Sequence, residues 1–246
     1  MLRYTCLIIL IVAVNVTCSK ESATNNNPSG NTGTGGSLAR FTIVGNYLYI
    51  ASGFQLNVFE VSKPAPAFKS SVPLAGNSET IFPYNDKLFI GSTTGMFVYS
   101  LSKPAEPKFL GQAVHVRSCD PVVANDSIAF ITLRGNSACG PATDGLYIHN
   151  IKDILNPVLI KTIEMPTPHG LGLKDSLLYI CQQENGLSIY NVKDPGNPVL
   201  RNTISNDYFN DVIIYNDLLI CYVQSGIKLF DVNAPAEPRL LSTVMN

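Results

Sequence analysis

From Leu38 onward, apolar and polar residues alternate in short bursts that recur along the chain. Five six-residue phrases carry the pattern: residues 56–61 (LNVFEV), 96–101 (MFVYSL), 146–151 (LYIHNI), 187–192 (LSIYNV) and 227–232 (IKLFDV). Positions one, three and six are apolar in each, and position four is aromatic or His. An alternation of period two predicts a half-buried strand. A proline-bearing turn follows every phrase: SKPAPAF, SKPAEPKF, KDILNPVL, KDPGNPVL and NAPAEPRL. Proline fixes φ and has no N–H to give to a ladder, so each turn ends one strand and separates it from the next. Polar turns such as Asn85-Asp86 and Asn216-Asp217 precede further apolar runs, and Asx residues favour tight turns there.

Each unit therefore offers four short strands within about 40 residues, which is what a propeller blade needs. The 3.6-residue period of a helical repeat is absent, and the units are long for a parallel solenoid. The expected fold is all-β: a single β-propeller over residues 38–246, with five four-stranded blades beginning near Arg40, Thr80, Asp120, His169 and Asp211. The repeats start at an inner strand and finish at an outer one. Closure is thus expected to rest on packing between the first and fifth blades alone, unless the boundaries are off by a strand.

The phrases resemble the LVIVD-repeat family, named for an aliphatic strand followed by Asp-Val and a proline turn. Residues 187–200 (LSIYNVKDPGNPVL) and 227–240 (IKLFDVNAPAEPRL) are the nearest copies. The resemblance spans residues 38–246 and implies an exported bacterial β-propeller without an assigned activity. WD and kelch propellers fit less well, since the chain has no Trp and lacks kelch-type glycine pairs.

Composition adds that the body can bury a core and that nucleic acid is not its partner. The chain is 46% hydrophobic and 14% charged, with a formal net charge of −1 and no basic run. The N-terminus is separate. Residues 1–17 read as a signal peptide: Arg3 gives a positive start, and the apolar stretch 7–14 (LIILIVAV) is too short to span a bilayer. Cys18 follows in NVTCSKE, which resembles a bacterial lipoprotein cleavage site, although Asn15 and Thr17 depart from the usual residues. Ser19-Lys20-Glu21 resembles the signal that sends some Gram-negative lipoproteins to the cell surface. Residues 18–37 are then a lipidated Cys and a flexible tether, since residues 22–37 (SATNNNPSGNTGTGGS) hold nothing apolar larger than alanine. Acyl chains at about 0.8 kcal/mol per buried CH₂ would anchor the protein without a membrane helix. The expected location is the outer membrane, facing the surface. Ordinary cleavage giving a periplasmic or secreted protein is the alternative.

Four further cysteines invite disulfides in an exported chain. Cys119 opens the third unit, and Cys139 lies in its long insertion, RGNSACGPATDG. A Cys119–Cys139 bridge is expected, closing a loop of about twenty residues for roughly 3 kcal/mol. Cys181 and Cys221, on apolar strands of adjacent units, read as buried free thiols, with a bridge between them as the alternative.

Aligning the units on their polar turns brings Arg40, Thr80, Asp120, His169 and Asp211 to one mouth of the central channel. This ring suits a cation, waters or a polar ligand group, or it simply satisfies the inner-strand backbone. Tyr208 and Phe209, in SNDYFND, are candidate ligand contacts or core. No residue pattern supplies a nucleophile, a metal set or a cofactor site. The leading reading is a tethered binding or scaffold module for an unidentified protein or glycan. The alternatives are an enzyme at the channel mouth, for instance on a carbohydrate, and a structural subunit of an envelope assembly.

Overall fold

The computed structural model describes residues 36–115, 121–135 and 140–245. The secondary structure of these residues is strand and turn, with no helix among them. Among the described residues, eighteen antiparallel strands form four sheets arranged as a β-propeller.

The first sheet has six strands: β1 (Phe41–Val44), β2 (Tyr47–Glu60), β3 (Ala67–Tyr84), β4 (Lys87–Ser92), β5 (Gly95–Ser100) and β6 (Lys108–Val114). The other three have four strands each. They are β7 (Val122–Ala124) to β10 (Val158–Glu164) with β8 (Ile128–Leu133) and β9 (Gly145–Asn150) between; β11 (Leu171–Lys174), β12 (Leu177–Cys181), β13 (Leu187–Asn191) and β14 (Val199–Ile204); and β15 (Phe209–Tyr215), β16 (Leu218–Val223), β17 (Gly226–Asp231) and β18 (Arg239–Met245).

Four sheets replace the five four-stranded ones expected from the repeats. The cause lies in β2 and β3, which run for 14 and 18 residues without a break and join the first two repeats in one hydrogen-bonded ladder. β2 bends at Gly53, whose φ of 59° is open to glycine at little steric cost. Its ends then meet, with Val61 N–H donating to the Asn46 carbonyl at 2.8 Å. The same bond recurs in the other repeats: Leu101 to Asp86, Ile151 to Ser127, Val192 to Ser176 and Val232 to Asp217. Each joins position six of a phrase to the polar turn before it, so the five-fold sequence period has a five-fold structural counterpart.

The core lies between repeats rather than within them. Four apolar clusters occur among the described residues, one at each junction between successive repeats. The last joins Tyr179, Leu187 and Ile189 of the fourth repeat to Phe209, Val212 and Leu219 of the fifth. Cys181 and Cys221 are buried free thiols in that cluster, and burial raises both thiol pKa values. Tyrosine hydroxyls staple the outer ends of two junctions. Tyr49 donates to the Pro104 carbonyl at 2.9 Å, and Tyr179 donates to the Pro235 carbonyl at 2.7 Å. A proline turn ends a strand but keeps its carbonyls free to accept, and the preceding repeat uses them.

The seam between the fifth and first repeats is built differently. The residue of β17 that begins its phrase, Ile227, is 41% exposed, whereas Leu56, Met96, Leu146 and Leu187 at the same position are 0% exposed. Phe41, on β1, is 61% exposed, whereas Ile81 at the matching position of the second repeat is 1% exposed. Ile43, Tyr215 and Tyr222 are exposed beside them, and Leu48, Ile50, Ile220 and Leu229 are only half-buried. The expected closure by packing of the first against the fifth repeat is therefore not what joins them. A short strap, residues 36–38, reaches across instead and bonds to Asp211 of β15 and to Leu171 of β11.

Candidate functional site

The inner strands β1, the C-terminal half of β3, β7, β11 and β15 follow one another around the channel, and their first residues ring one mouth. The pairings Val44↔Tyr47, Tyr84↔Lys87, Lys174↔Leu177 and Tyr215↔Leu218 set the register. Counting back from them makes Arg40, Thr80, Gly170 and Asp211 equivalent. His169 stands one residue earlier, and in a strand a one-residue shift moves a side chain to the opposite face. The ring as aligned from sequence is therefore corrected at His169. Asp120 lies outside the described residues, as do Cys18, Cys119 and Cys139 and with them the lipidation site and the expected bridge. Arg40 is exposed and Thr80 is buried. The structure brings His169 and Asp211 close to each other but gives them separate tasks.

Asp211 is the anchor of the strap. Its Oδ1 accepts from the Ser37 hydroxyl at 3.2 Å and from Val212 N–H at 2.9 Å, while Oδ2 accepts from Leu38 N–H at 3.4 Å. The Ser37 hydroxyl oxygen in turn accepts from Leu171 N–H at 2.7 Å. Room for the carboxylate comes from two glycines. A Cβ on Gly170 would stand 2.1 Å from Asp211 Oδ1 and 2.7 Å from its Cα, and one on Gly36 would stand 2.2 Å from Oδ2. Burial pushes the Asp211 pKa up to about 6, against the pull of its N–H and hydroxyl donors.

His169 is the centre of a second cluster that the sequence did not announce. Arg134, just past β8, places Nη1 2.6 Å from His169 Nε2, and Gln183, just past β12, places its amide nitrogen 2.7 Å from the same atom. Both neighbours are donors, so Nε2 accepts and the ring is neutral with its proton on Nδ1. Burial, and then the Arg134 charge, lower the His169 pKa to about 4. Burial also lowers the Arg134 pKa, opposed by the charges of Glu79 and Asp144, and the guanidinium stays charged. The hydrogen-bond donors Arg134 Nε and His169 Nδ1 are both buried, and neither has a partner among the described residues.

Gln183 has φ 51°, an uncommon value for a non-glycine residue. A two-way backbone bridge holds it there: Gln183 N–H donates to the Phe209 carbonyl at 3.0 Å, and Phe209 N–H donates back at 3.1 Å. Non-glycine residues in this region persist where their surroundings over-determine them, often at binding sites. Phe209 itself is core, fully buried, with Lys228 Nζ 6.0 Å from its ring centroid. Tyr208 is half-buried. Arg134 and Gln183 carry no sequence signal of their own. One is a single basic residue at the edge of the insertion, and the other is the second Gln of an ordinary QQENG turn.

Among the described residues, no three His, Cys, Asp or Glu side chains converge as metal ligands would. The mouth is thus a place of hydrogen-bond donors around a neutral imidazole, next to a carboxylate already spoken for by the strap.

Comparison with known proteins agrees with this architecture. Residues 35–73 match the LVIVD repeat. Among curated proteins, none matches the chain in sequence. Similar solved structures include a functionally unknown protein from Desulfotomaculum acetoxidans, at 11% identity and a TM-score of 0.67, covering 87% of this chain and 70% of that one. A putative 6-phosphogluconolactonase from Bacteroides uniformis is similar at 12% identity and a TM-score of 0.64, covering 84% and 70%. A protein from Lactobacillus plantarum is similar at 14% identity and a TM-score of 0.61, covering 82% and 72%. At these identities the likeness speaks for the fold alone. The chain is a β-propeller repeat protein, and the stretch that holds its first repeat, residues 35–73, is similar to the LVIVD repeat.

Proposed function

We propose that this propeller is a non-catalytic binding module that takes an acceptor-bearing group, a carboxylate or clustered hydroxyls of a protein or glycan, at the Arg134–His169–Gln183 mouth. The observation that carries the reading is the pair of buried donors without partners among the described residues, Arg134 Nε and His169 Nδ1. Leaving such groups unpaired is unfavourable by about 1–3 kcal/mol each, a penalty that an incoming acceptor relieves. The module sits on an exported lipoprotein held through Cys18 at the outer membrane and facing the surface. A periplasmic or secreted form is the alternative location.

An enzyme at the same mouth is the weaker reading. His169 Nε2 is occupied by two donors and Asp211 by the strap, so the two groups best suited to proton transfer already serve the structure. Arrays of uronate-bearing and neutral oligosaccharides, probed with the purified chain, test the proposal. Retention of an acidic glycan that is lost in Arg134→Gln at unchanged thermal stability supports it. Turnover of any glycan into shorter products would establish the enzyme instead. Metabolic labelling with a fatty acid, compared between the native chain and Cys18→Ser, tests the anchor.

A further inference from the structure

The inner strands begin at the end of the channel that holds the Arg134–His169–Gln183 mouth and finish at the polar turns, so those turns form the opposite face of the propeller. On that face a groove of about 550 Å³ lies at the junction of the first and second repeats. Tyr47 and Tyr49 of β2 form one wall, and Leu101 and Pro104 of the second repeat form the other. Asn46, Asn85 and Asp86, from the two polar turns, stand at its rim. Apolar walls with a few polar groups, in a space of several hundred Å³, are the make-up of a small-ligand site.

The repeat makes such grooves, but it does not dictate this one's lining. A groove of about 470 Å³ occupies the same place between the third and fourth repeats. Ile128 there stands where Tyr47 stands in the first repeat, and Lys152 and Lys193 line its sides. The second, fourth and fifth repeats hold Lys87, Leu177 and Leu218 at this position. The hairpin therefore closes without an aromatic residue at that point. Tyr49 has a structural task, since its hydroxyl donates to the Pro104 carbonyl at 2.9 Å. Tyr47 is half-buried against the adjoining core cluster, and its ring centroid lies 6.4 Å from that of Tyr49 at an interplanar angle of 33°. The pair gives this groove a stepped aromatic wall that the other lacks.

The negative face of an aromatic ring attracts the slightly positive C–H groups on the apolar face of a sugar ring. The rim supplies acceptors for the sugar's hydroxyls. Asn85 Nδ2 donates to Asp126 Oδ1 at 2.8 Å, which fixes the amide and leaves its own oxygen to accept. Asp86 Oδ1 is paired with Lys87 Nζ, which leaves Oδ2 to accept. Among the described residues of the lining Asp86 is the charged one, and Lys87 answers its charge. A neutral ligand rich in hydroxyl donors therefore fits the groove better than a cation does. We infer that this groove is a second binding site, for a neutral pyranose unit of a glycan, stacked on Tyr47 with its hydroxyls donating to Asn85 and Asp86. The site lies on the face opposite the Arg134–His169–Gln183 mouth and stands whether or not that mouth binds a ligand.

The test titrates the full chain with methyl glycosides of glucose, galactose and mannose and with their linear neutral trisaccharides. Tyrosine ring signals are followed by NMR, and the Tyr47 signal is identified by its loss in Tyr47→Leu. At least one of these sugars is expected to shift the Tyr47 signal in a saturable way. Tyr47→Leu supplies the residue that the fourth repeat has at this point, so Tm should stay unchanged. The same variant should weaken binding of that sugar by about tenfold or more, and Asp86→Ala should weaken it several-fold. Ile128→Ala, in the groove between the third and fourth repeats, should leave the affinity unmoved. So should Arg134→Gln, which alters the mouth alone and separates a failure there from a failure here. Three results would overturn the inference. One is a Tyr47 signal that none of these sugars shifts, and another is equal affinity in Tyr47→Leu. The third is a tetramethylammonium ion that binds the groove more tightly than any of the sugars, which would make it a cation site.

Discussion

The junction between the fourth and fifth repeats and the seam between the fifth and first use the same residue pattern to opposite ends. At the junction, Leu187 and Ile189 from one side meet Val212 and Leu219 from the other in a sealed cluster, and Tyr179 reaches over to the Pro235 carbonyl. At the seam, Ile227 and Leu229 hold the positions of Leu187 and Ile189 but face solvent or a half-filled cleft. The stability of a repeat is therefore not a property of its own phrase. It comes from the neighbour on each side, as expected of repeat proteins whose energy is a sum of interfaces.

The widest gap between the two regions should appear in matched truncations. Leu187→Ala is expected to destabilise the fold by about 3–4 kcal/mol, because it opens a cavity in a closed cluster. Ile227→Ala, at the equivalent position, should change stability by less than about 1 kcal/mol, as the side chain is not enclosed. Chemical denaturation of both variants measures the ratio, and equal losses would show that the seam is packed in solution.

The strap offers the next largest effect, and it is a pH effect. The carboxyl pKa of Asp211 is raised to about 6 in the folded chain from the ordinary 3.8. Its contribution to stability is therefore fully present below pH 3.8 and is lost as pH rises through 6, by about 3 kcal/mol in total. His169 and His149 run the other way. Burial lowers both to about 4, so their contributions are present above 6.5 and are lost as pH falls through 4. The raw profile mixes these opposing slopes, and the Asp211 share is isolated by the difference between wild type and Asp211→Asn. Relative to that variant, wild type should lose stability between about pH 4 and pH 6 and level off above about pH 7. A flat difference would mean that the carboxylate is solvated rather than buried.

A smaller effect tests the staples. Tyr179→Phe removes one hydroxyl from the junction and should cost about 1 kcal/mol. Ile220 occupies the same position on β16 at the seam and has no hydroxyl to lose, so Ile220→Val there should be nearly silent by comparison.

The period-two phrases and proline turns made the repeats legible, since they fix where strands begin and end. The inner hairpins were legible through polar turns such as Asn85-Asp86 and Asn216-Asp217, where the structure gives Asn85 and Asn216 a φ near 50°. What escaped the sequence is whatever depends on a neighbour. Ile227 reads like Leu187 because the chain writes the same pattern whether or not another sheet covers it. The six-stranded sheet depends on β2 and β3 bending without breaking their ladder, a matter of local geometry rather than composition. His169 falls in the ring only when Lys174 is counted as the first turn residue; Lys174 still pairs with Leu177 and the turn starts at Asp175, which makes Gly170 the equivalent residue. Arg134 and Gln183 join it from separate repeats, and single polar residues carry no period by which to be found.

The strap has a mechanical consequence. Residues 36–38 are in series with everything N-terminal to them, so a pull from that end of the chain loads the Ser37–Asp211 and Ser37–Leu171 bonds before it reaches any sheet. Those bonds also span the inner end of the seam. Tension would release them one at a time, as a latch lifts, while each hairpin is held by a ladder of several bonds sheared together. A propeller pulled from that end opens at its seam first and leaves its repeats folded.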